Sequence, residues 1–191
     1  MKYNQTLLLT LIFLAASASS TFAVSANPNL LSTPQNRDSA AVIQPIKGFL
    51  RWYRANYNKA NDFSWTITDQ TGNYAVDHVA CEQYLKYLQS SGYISNTYIK
   101  EWRKFFKSKA QYFKEFPQSE GPPYGFDLDL VLITQEPELI LDHLDKLKFK
   151  IKSRTAKTAI VEVVGEFSYE FELSLVQGKW KIDYIATMNY D

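Results

Sequence analysis

From Leu147 onward the chain alternates large apolar and polar side chains. Leu147, Phe149 and Ile151 fall on one face, and Lys146, Lys148, Lys150 and Lys152 on the other. Phe167, Tyr169, Phe171, Leu173 and Leu175 repeat the pattern against Ser168, Glu170, Glu172 and Ser174. A period of two with one apolar face predicts an antiparallel sheet. Its strands are expected at 147–152, 158–164, 166–176 and 179–187, all rich in β-branched and aromatic residues. Gln177-Gly178 reads as a two-residue hairpin turn, because glycine accepts the positive φ such turns need. Counting outward from it pairs Leu175 with Trp180, Leu173 with Ile182 and Phe171 with Tyr184, all apolar. On the wet face the lysine row is complementary in sign to Glu170 and Glu172. Solvated charge pairing is the expected role of that row, and alternating lysines also blunt an exposed edge.

Upstream the period changes to that of a helix. Ile46, Phe49, Leu50, Tyr53 and Tyr57 predict an amphipathic helix over 45–59, with Pro45 in its first turn. Residues 63–76 read as two short extended pieces around a Thr71-Gly72-Asn73 turn. Asp77 is suited to cap a helix running to about Leu88, with Val79, Leu85 and Leu88 on one side and Ser91-Gly92 as its stop. Ser95 or Asn96 then caps a third helix. Ile99, Trp102, Phe106, Ala110 and Phe113 line one face of it, and Lys100, Arg103, Lys104, Lys107 and Lys114 form the charged outer face of a surface helix. Glu115 to Gly125 is a Pro/Gly loop. The apolar run Phe126 to Glu136 fits a buried strand or a short buried helix, and 138–145 looks helical. Helices followed by a four-stranded meander define an α+β fold, with N-terminal helices packed on a curved C-terminal antiparallel sheet.

The N-terminus adds a compartment. Lys2 precedes the apolar run Leu7 to Ala16, which has the length of a secretory signal and is too short to span a bilayer. Small residues at Val24-Ser25-Ala26 offer a cleavage site before Asn27, with Thr21-Phe22-Ala23 as an alternative. The reading is a signal peptide over 1–26, a flexible leader over 27–39, and one domain over 40–191. The protein is therefore expected to be exported, periplasmic or secreted, without stable membrane insertion.

Charge and cysteine content narrow the partners. Removing residues 1–26 from the 191-residue chain leaves 165 residues and lowers Lys+Arg from 21 to 20, against 20 Asp+Glu. A neutral balance argues against nucleic acid, whose phosphates require a clustered positive excess. Cys81 is the single cysteine, so no intrachain disulfide forms, and it is expected to be a small buried apolar residue.

The stretches FLRWYRANYNKA at 49–60, GFDLDLVLITQEP at 125–137 and GKWKIDYI at 178–185 resemble the domain of unknown function 3828 family. Proteins of that family are expected to adopt the fold of the nuclear transport factor 2-like superfamily. The resemblance spans roughly 44–188, mostly through the order of elements, and implies a cystatin-like cone with a pocket at its open end. It brings no established activity. The family's Asp-Pro and Gln-Asp pairs stand here as Asp127-Leu128 and Gln135-Glu136.

In such a cone, aromatic residues such as Trp52, Tyr53 and Tyr184 are candidates to line the pocket, with Asp127, Gln135 and Glu136 orienting a ligand. Asp129 belongs to the same polar constellation. The opposing reading of these carboxylates is capping and turn formation at the ends of a buried segment. Calcium at Asp127 and Asp129 lacks the remaining ligands and the loop glycine, and His78 and His143 lack partners for zinc. No serine-histidine-aspartate elbow, phosphate loop or CxxC pair is present, so no cofactor is expected. The expected function is a non-enzymatic domain binding a small apolar or amphiphilic ligand. The alternatives are a module binding a protein partner in the cell envelope and an acid/base enzyme using Asp127 or Glu136. A dimer is compatible with the sheet.

Overall fold

The computed structural model describes residues 34–188, which fall within one compact unit. The expected signal peptide, and the leader up to residue 33, lie outside the described residues. The elements are α1 (Pro34–Ala55), α2 (Tyr57–Asn61), β1 (Thr66–Thr68), β2 (Tyr74–Val76), α3 (His78–Ser90) and α4 (Asn96–Glu115). After a long irregular segment come α5 (Glu138–Leu141), β3 (Lys148–Arg154), β4 (Thr158–Val164), β5 (Ser168–Val176) and β6 (Lys179–Thr187). The fold is α+β, with helices first and a four-stranded antiparallel sheet of order β3-β4-β5-β6 at the end.

The meander follows from its alternation. Val161, Val163, Tyr169, Phe171, Leu173, Ile182 and Ile185 are buried together with Val42, Ile46, Phe49, Leu50 and Tyr53 of α1. Gln177 and Gly178 both have positive φ, as the hairpin turn requires. Leu175 pairs with Trp180 and Leu173 with Ile182, as expected. The third expected pair does not form. A bulge displaces the register between Glu172 and Leu173, so Phe171 faces Ile185 while Tyr184 faces Glu172. The extra residue is Asp183, whose carboxylate accepts from the Ser174 hydroxyl at 3.0 Å. A one-residue slip moves a side chain to the other face. Tyr184 therefore leaves the core and is 47 % exposed, while Ile185 is buried in its stead.

The edges of the sheet differ. Beyond β6, Ser95 N–H donates to the Ile182 carbonyl at 2.9 Å and Ile182 N–H donates to the Tyr93 carbonyl at 2.9 Å, which fixes the start of α4 to the sheet. At the other edge, Phe149 and Ile151 of β3 are only half-buried, and their strand carries the lysines. These lysines do not meet Glu170 or Glu172, because β4 lies between β3 and β5. Their carboxylate is Glu162 of β4, 3.9 Å from Lys150 Nζ and 3.4 Å from Lys152 Nζ.

Among the helices, α1 begins at Pro34 instead of Pro45, so residues 34–39 of the expected leader are helical and Pro45 lies inside the helix. A proline there removes one helical donor. The buried row Ile46, Phe49, Leu50 and Tyr53 runs on past it. In α3, Asp77 caps as expected, accepting from Val79 N–H at 2.9 Å and Ala80 N–H at 3.0 Å. Its buried stripe is Cys81, Tyr84, Leu85 and Leu88. Val79 stands on the opposite side at 69 % exposure, so the stripe holds aromatic Tyr84 where the sequence reading used Val79. Ser95 caps α4 through Tyr98 N–H at 3.1 Å. A bidentate ion pair from Arg103 to Glu82, at 2.6 and 2.7 Å, joins the exposed sides of α3 and α4. Such a surface pair contributes about 0.2–1 kcal/mol.

The segment from Phe126 to Glu136 forms neither a strand nor a helix but a series of turns, and the helix expected over 138–145 is only the single turn of α5. Phe126 anchors the segment. Its ring packs on Phe106 at 6.1 Å, Phe105 at 5.8 Å and Phe113 at 6.2 Å, all from α4. No described helix is long and apolar enough to cross a membrane.

Candidate functional site

The irregular segment is held by one buried carboxylate. Asp129 interrupts the apolar sequence Leu128-Asp129-Leu130-Val131-Leu132 and is 7 % exposed. Its Oδ1 accepts from Val131 N–H at 3.0 Å and Leu132 N–H at 2.7 Å, which bends the chain into an Asx-type turn. Its Oδ2 accepts from the Tyr53 hydroxyl of α1 at 2.5 Å. The backbone closes around it. Asp129 N–H donates to the Thr134 carbonyl at 2.9 Å, and Ile133 N–H donates back to the Asp129 carbonyl at 2.7 Å. The Tyr169 hydroxyl of β5 donates to the Leu132 carbonyl at 2.9 Å. Closing this turn puts Ile133 at φ +52°, a left-handed conformation that β-branched residues avoid.

Burial raises the Asp129 pKa above the ordinary carboxylate value, against the lowering effect of the Tyr53, Leu132 and Val131 hydrogen bonds. The surrounding phenols shift in the same direction. Tyr53, Tyr84, Tyr98 and Tyr169 are all pushed above the usual tyrosine range, first by burial and then by neighbours that include the Asp129 charge. Cys81, beside this group, is buried as expected, and burial pushes its thiol up to about 12. It is a packing residue with little thiolate character.

On the outer side of Asp129 lies a cleft of about 540 Å³ between α4, residues 125–133 and β6. Tyr98, Trp102 and Phe105 form its helix wall, Leu128 and Ile133 its loop wall, and Tyr184 and Ile185 its sheet wall. Each wall has a local cause. The loop wall is set by the Asp129 turn, the sheet wall by the Asp183 bulge, and the helix wall by the aromatic face of α4. At the rim Glu101 and Lys104 neutralise one another at 2.7 Å. The volume suits a small organic molecule, and the lining is mostly apolar with a few polar groups.

The residues singled out in the sequence are only partly brought together. Tyr184 lines the cleft, though from outside the core and not from within it. Tyr53 lies behind the cleft, buried, with its hydroxyl on Asp129. Trp52 packs between Phe49 at 6.2 Å and Tyr87 at 5.3 Å, away from the cleft. Asp127, Gln135 and Glu136 are exposed and do not line it. They sit at turns, where Glu136 N–H donates to the Thr134 hydroxyl at 3.1 Å. Tyr98, Phe105, Leu128 and Ile133 were not singled out. The available signal was Asp129 itself, since an acidic residue inside an apolar run must be buried with donors around it. His78 and His143 are exposed, and among the described residues no group of three or more His, Cys, Asp or Glu side chains could hold a metal ion.

Comparison with family models, curated proteins and solved structures finds no match to this chain.

Proposed function

We propose that this is an exported binding domain that takes a small apolar or amphiphilic molecule in the cleft between α4, residues 125–133 and β6. The supporting observation is the cleft itself, about 540 Å³ with Trp102, Phe105, Leu128 and Ile133 in its walls and Asp129 at its base. Helix and sheet bound the cleft together, as a ligand pocket in an α+β domain requires. Acid/base chemistry has less support. Asp127 and Glu136 stand in solvent away from the cleft, and Asp129 already accepts from Val131, Leu132 and Tyr53.

The test is thermal melting against a panel of lipids and apolar metabolites, with intrinsic tryptophan fluorescence, to which Trp102 in the cleft wall contributes, as a second signal. A bound molecule at 100 times its Kd raises stability by about 2.7 kcal/mol. Leu128→Glu places a charge in the half-buried wall and is expected to erase the ligand-dependent rise while leaving the unliganded melt within a few degrees. A panel without any shift removes the binding reading.

A further inference from the structure

The lysine strand β3 has β4 on one side and, among the described residues, no strand on the other. Its register shows which backbone groups face that open side. Gly165 N–H donates to the Phe167 carbonyl at 3.0 Å and Leu175 N–H to the Lys157 carbonyl at 2.8 Å, so the odd-numbered residues of β4 exchange their hydrogen bonds with β5. The even-numbered ones turn to β3, as Thr158 does in accepting from Thr155 N–H at 2.8 Å. Lys148 and Lys150, opposite Val164 and Glu162, therefore bond to β4. Phe149 and Ile151 point their N–H and C=O groups outward, and no backbone hydrogen bond among the described residues meets them. The side chains sort by face. Phe149 and Ile151 are half-buried on the core side, next to a groove of about 190 Å³ lined by Lys47, Leu50, Arg51, Leu144, Asp145 and Leu147. Lys47 Nζ lies 4.8 Å from the centre of the Phe149 ring. On the other face Lys148, Lys150 and Lys152 are exposed, and the bulge after Ile151 keeps Lys152 within reach of Glu162 together with Lys150. One carboxylate thus serves two lysines, and Lys148 makes no ion pair among the described residues.

We infer that the β3 edge takes up an extended segment of a partner protein in which acidic and apolar residues alternate. Such a segment adds a fifth strand by bonding to the Phe149 and Ile151 backbone. Its apolar side chains then lie over Phe149, Ile151 and the groove, and its carboxylates meet Lys148, Lys150 and Lys152. Charge selects this occupant over the others. A second copy pairing through β3 sets lysine against lysine, which is unfavourable across strands. A neutral strand gains nothing from the lysines, whose presence guards an edge against indiscriminate pairing. An anion without a strand's backbone meets the lysines but leaves the Phe149 and Ile151 groups unused. The cleft borders β6, at the opposite side of the sheet, so this inference stands apart from the small-molecule reading.

The experiment titrates the full chain with four heptapeptides, read by fluorescence anisotropy of the labelled peptide and by amide hydrogen exchange of the protein. One alternates glutamate and valine, one glutamine and valine, one lysine and valine, and the fourth is the glutamate peptide with proline for its central valine. The glutamate peptide is expected to bind about tenfold tighter than the glutamine peptide, from several cross-strand charge pairs acting together. It should also slow exchange at the Phe149 and Ile151 amides, which are open in the free protein. The proline peptide keeps the charge but lacks a ladder donor, so it should bind more weakly and give less protection there. The double variant Lys148→Glu, Lys152→Glu should reverse the preference toward the lysine peptide. Equal binding of the glutamate and glutamine peptides, equal binding of the proline peptide, or binding without protection of Phe149 and Ile151 overturns the inference, as does no binding at all. Self-association of the original chain that slows exchange at the same two amides overturns it in favour of a second copy. If the double variant were to misfold, the ranking of the four peptides on the original chain still decides.

Discussion

The sheet of β3 to β6 and the irregular segment between α4 and β3 contribute to one core but are specified in opposite ways. In the sheet each buried apolar residue has at least one apolar cross-strand neighbour, so the order is repeated along β4, β5 and β6. Between α4 and β3 there is no repeat. The path depends on single attachments, namely the Phe126 ring against α4, the Tyr169 hydroxyl on the Leu132 carbonyl, and the three donors gathered on the Asp129 carboxylate. Redundant order tolerates a local fault such as the Asp183 bulge, whereas order built on single attachments is lost with the residue that makes it.

The largest effect is expected from the sheet, because its residues are the most deeply packed. Phe171 is fully buried at the centre of β5, between Val161 and Ile185. Phe171→Ala is expected to cost about 3–5 kcal/mol in urea unfolding, from lost transfer energy plus the remaining cavity. The loss should be global, with all probes moving together. Slowed hydrogen exchange retained in β4 and β6, with loss confined to one strand, would contradict the view of the sheet as one cooperative unit.

Asp129 should give a smaller and more local change, and its charge can be separated from its shape. Asp129→Ala leaves Val131 N–H, Leu132 N–H and the Tyr53 hydroxyl without their acceptor, at about 1–3 kcal/mol for a buried group left unmet. Hydrogen exchange should rise first at Val131 and Leu132. Asp129→Asn keeps an acceptor for both amides, and its NH2 can donate to a turned Tyr53 hydroxyl, so a loss of less than about 1 kcal/mol is expected at neutral pH. The two should also differ in pH dependence. With the folded pKa of Asp129 above its ordinary value, the folded state holds the proton more tightly than the unfolded chain. This group's contribution therefore falls as pH rises from the unfolded value to the folded one, and is flat above that. Relative to Asp129→Asn, the original protein should gain stability on acidification through this window. Parallel urea midpoints for the two proteins across acidic pH would show that Asp129 titrates as it does in the unfolded chain.

The same contrast decides which parts of the structure can be read from the sequence. Alternation fixed β4, β6 and the Gln177-Gly178 turn, because a period of two with one dry face has a single solution. It could not show the bulge at Asp183, since Ile182, Tyr184 and Ile185 satisfy either register locally and only the packing of Ile185 into the core separates them. Helix caps at Asp77 and Ser95 were readable from local chemistry, while Val79 misled because it is an apolar residue on the polar side of α3, in line with Glu82, Gln83 and Lys86, and Tyr84 is the residue that is buried. For the candidate site the sequence pointed to the right segment and mostly to the wrong residues. Asp127, Gln135 and Glu136 stand out by polarity, yet polarity at a turn means exposure. The polar residue that matters is the one enclosed by leucines, and its main side-chain partner, Tyr53, lies 76 positions away along the chain.

The smallest effects distinguish two glycines, one from each region. Gly178 in the hairpin has φ +76° and open space where a Cβ would be, so Gly178→Ala bears only the left-handed penalty of about 1–2 kcal/mol. Gly125, where the irregular segment begins, has φ +86°, and its Cβ would meet the Lys109 side chain at 2.4 Å. Lys109 is not idle there. Its ammonium lies 4.2 Å from the centre of the Tyr124 ring and 5.3 Å from that of Phe105, and burial lowers its pKa. The end of a lysine is flexible, so Gly125→Ala should displace it and lose the cation–π contact in addition to the backbone penalty, about 0.5–1 kcal/mol more than Gly178→Ala. Lys109→Met isolates that increment, because it removes the charge and keeps much of the packing. If Gly125→Ala costs the same in the Lys109→Met background as in the original chain, the two effects are independent and the Lys109 ammonium contributes nothing to holding the loop.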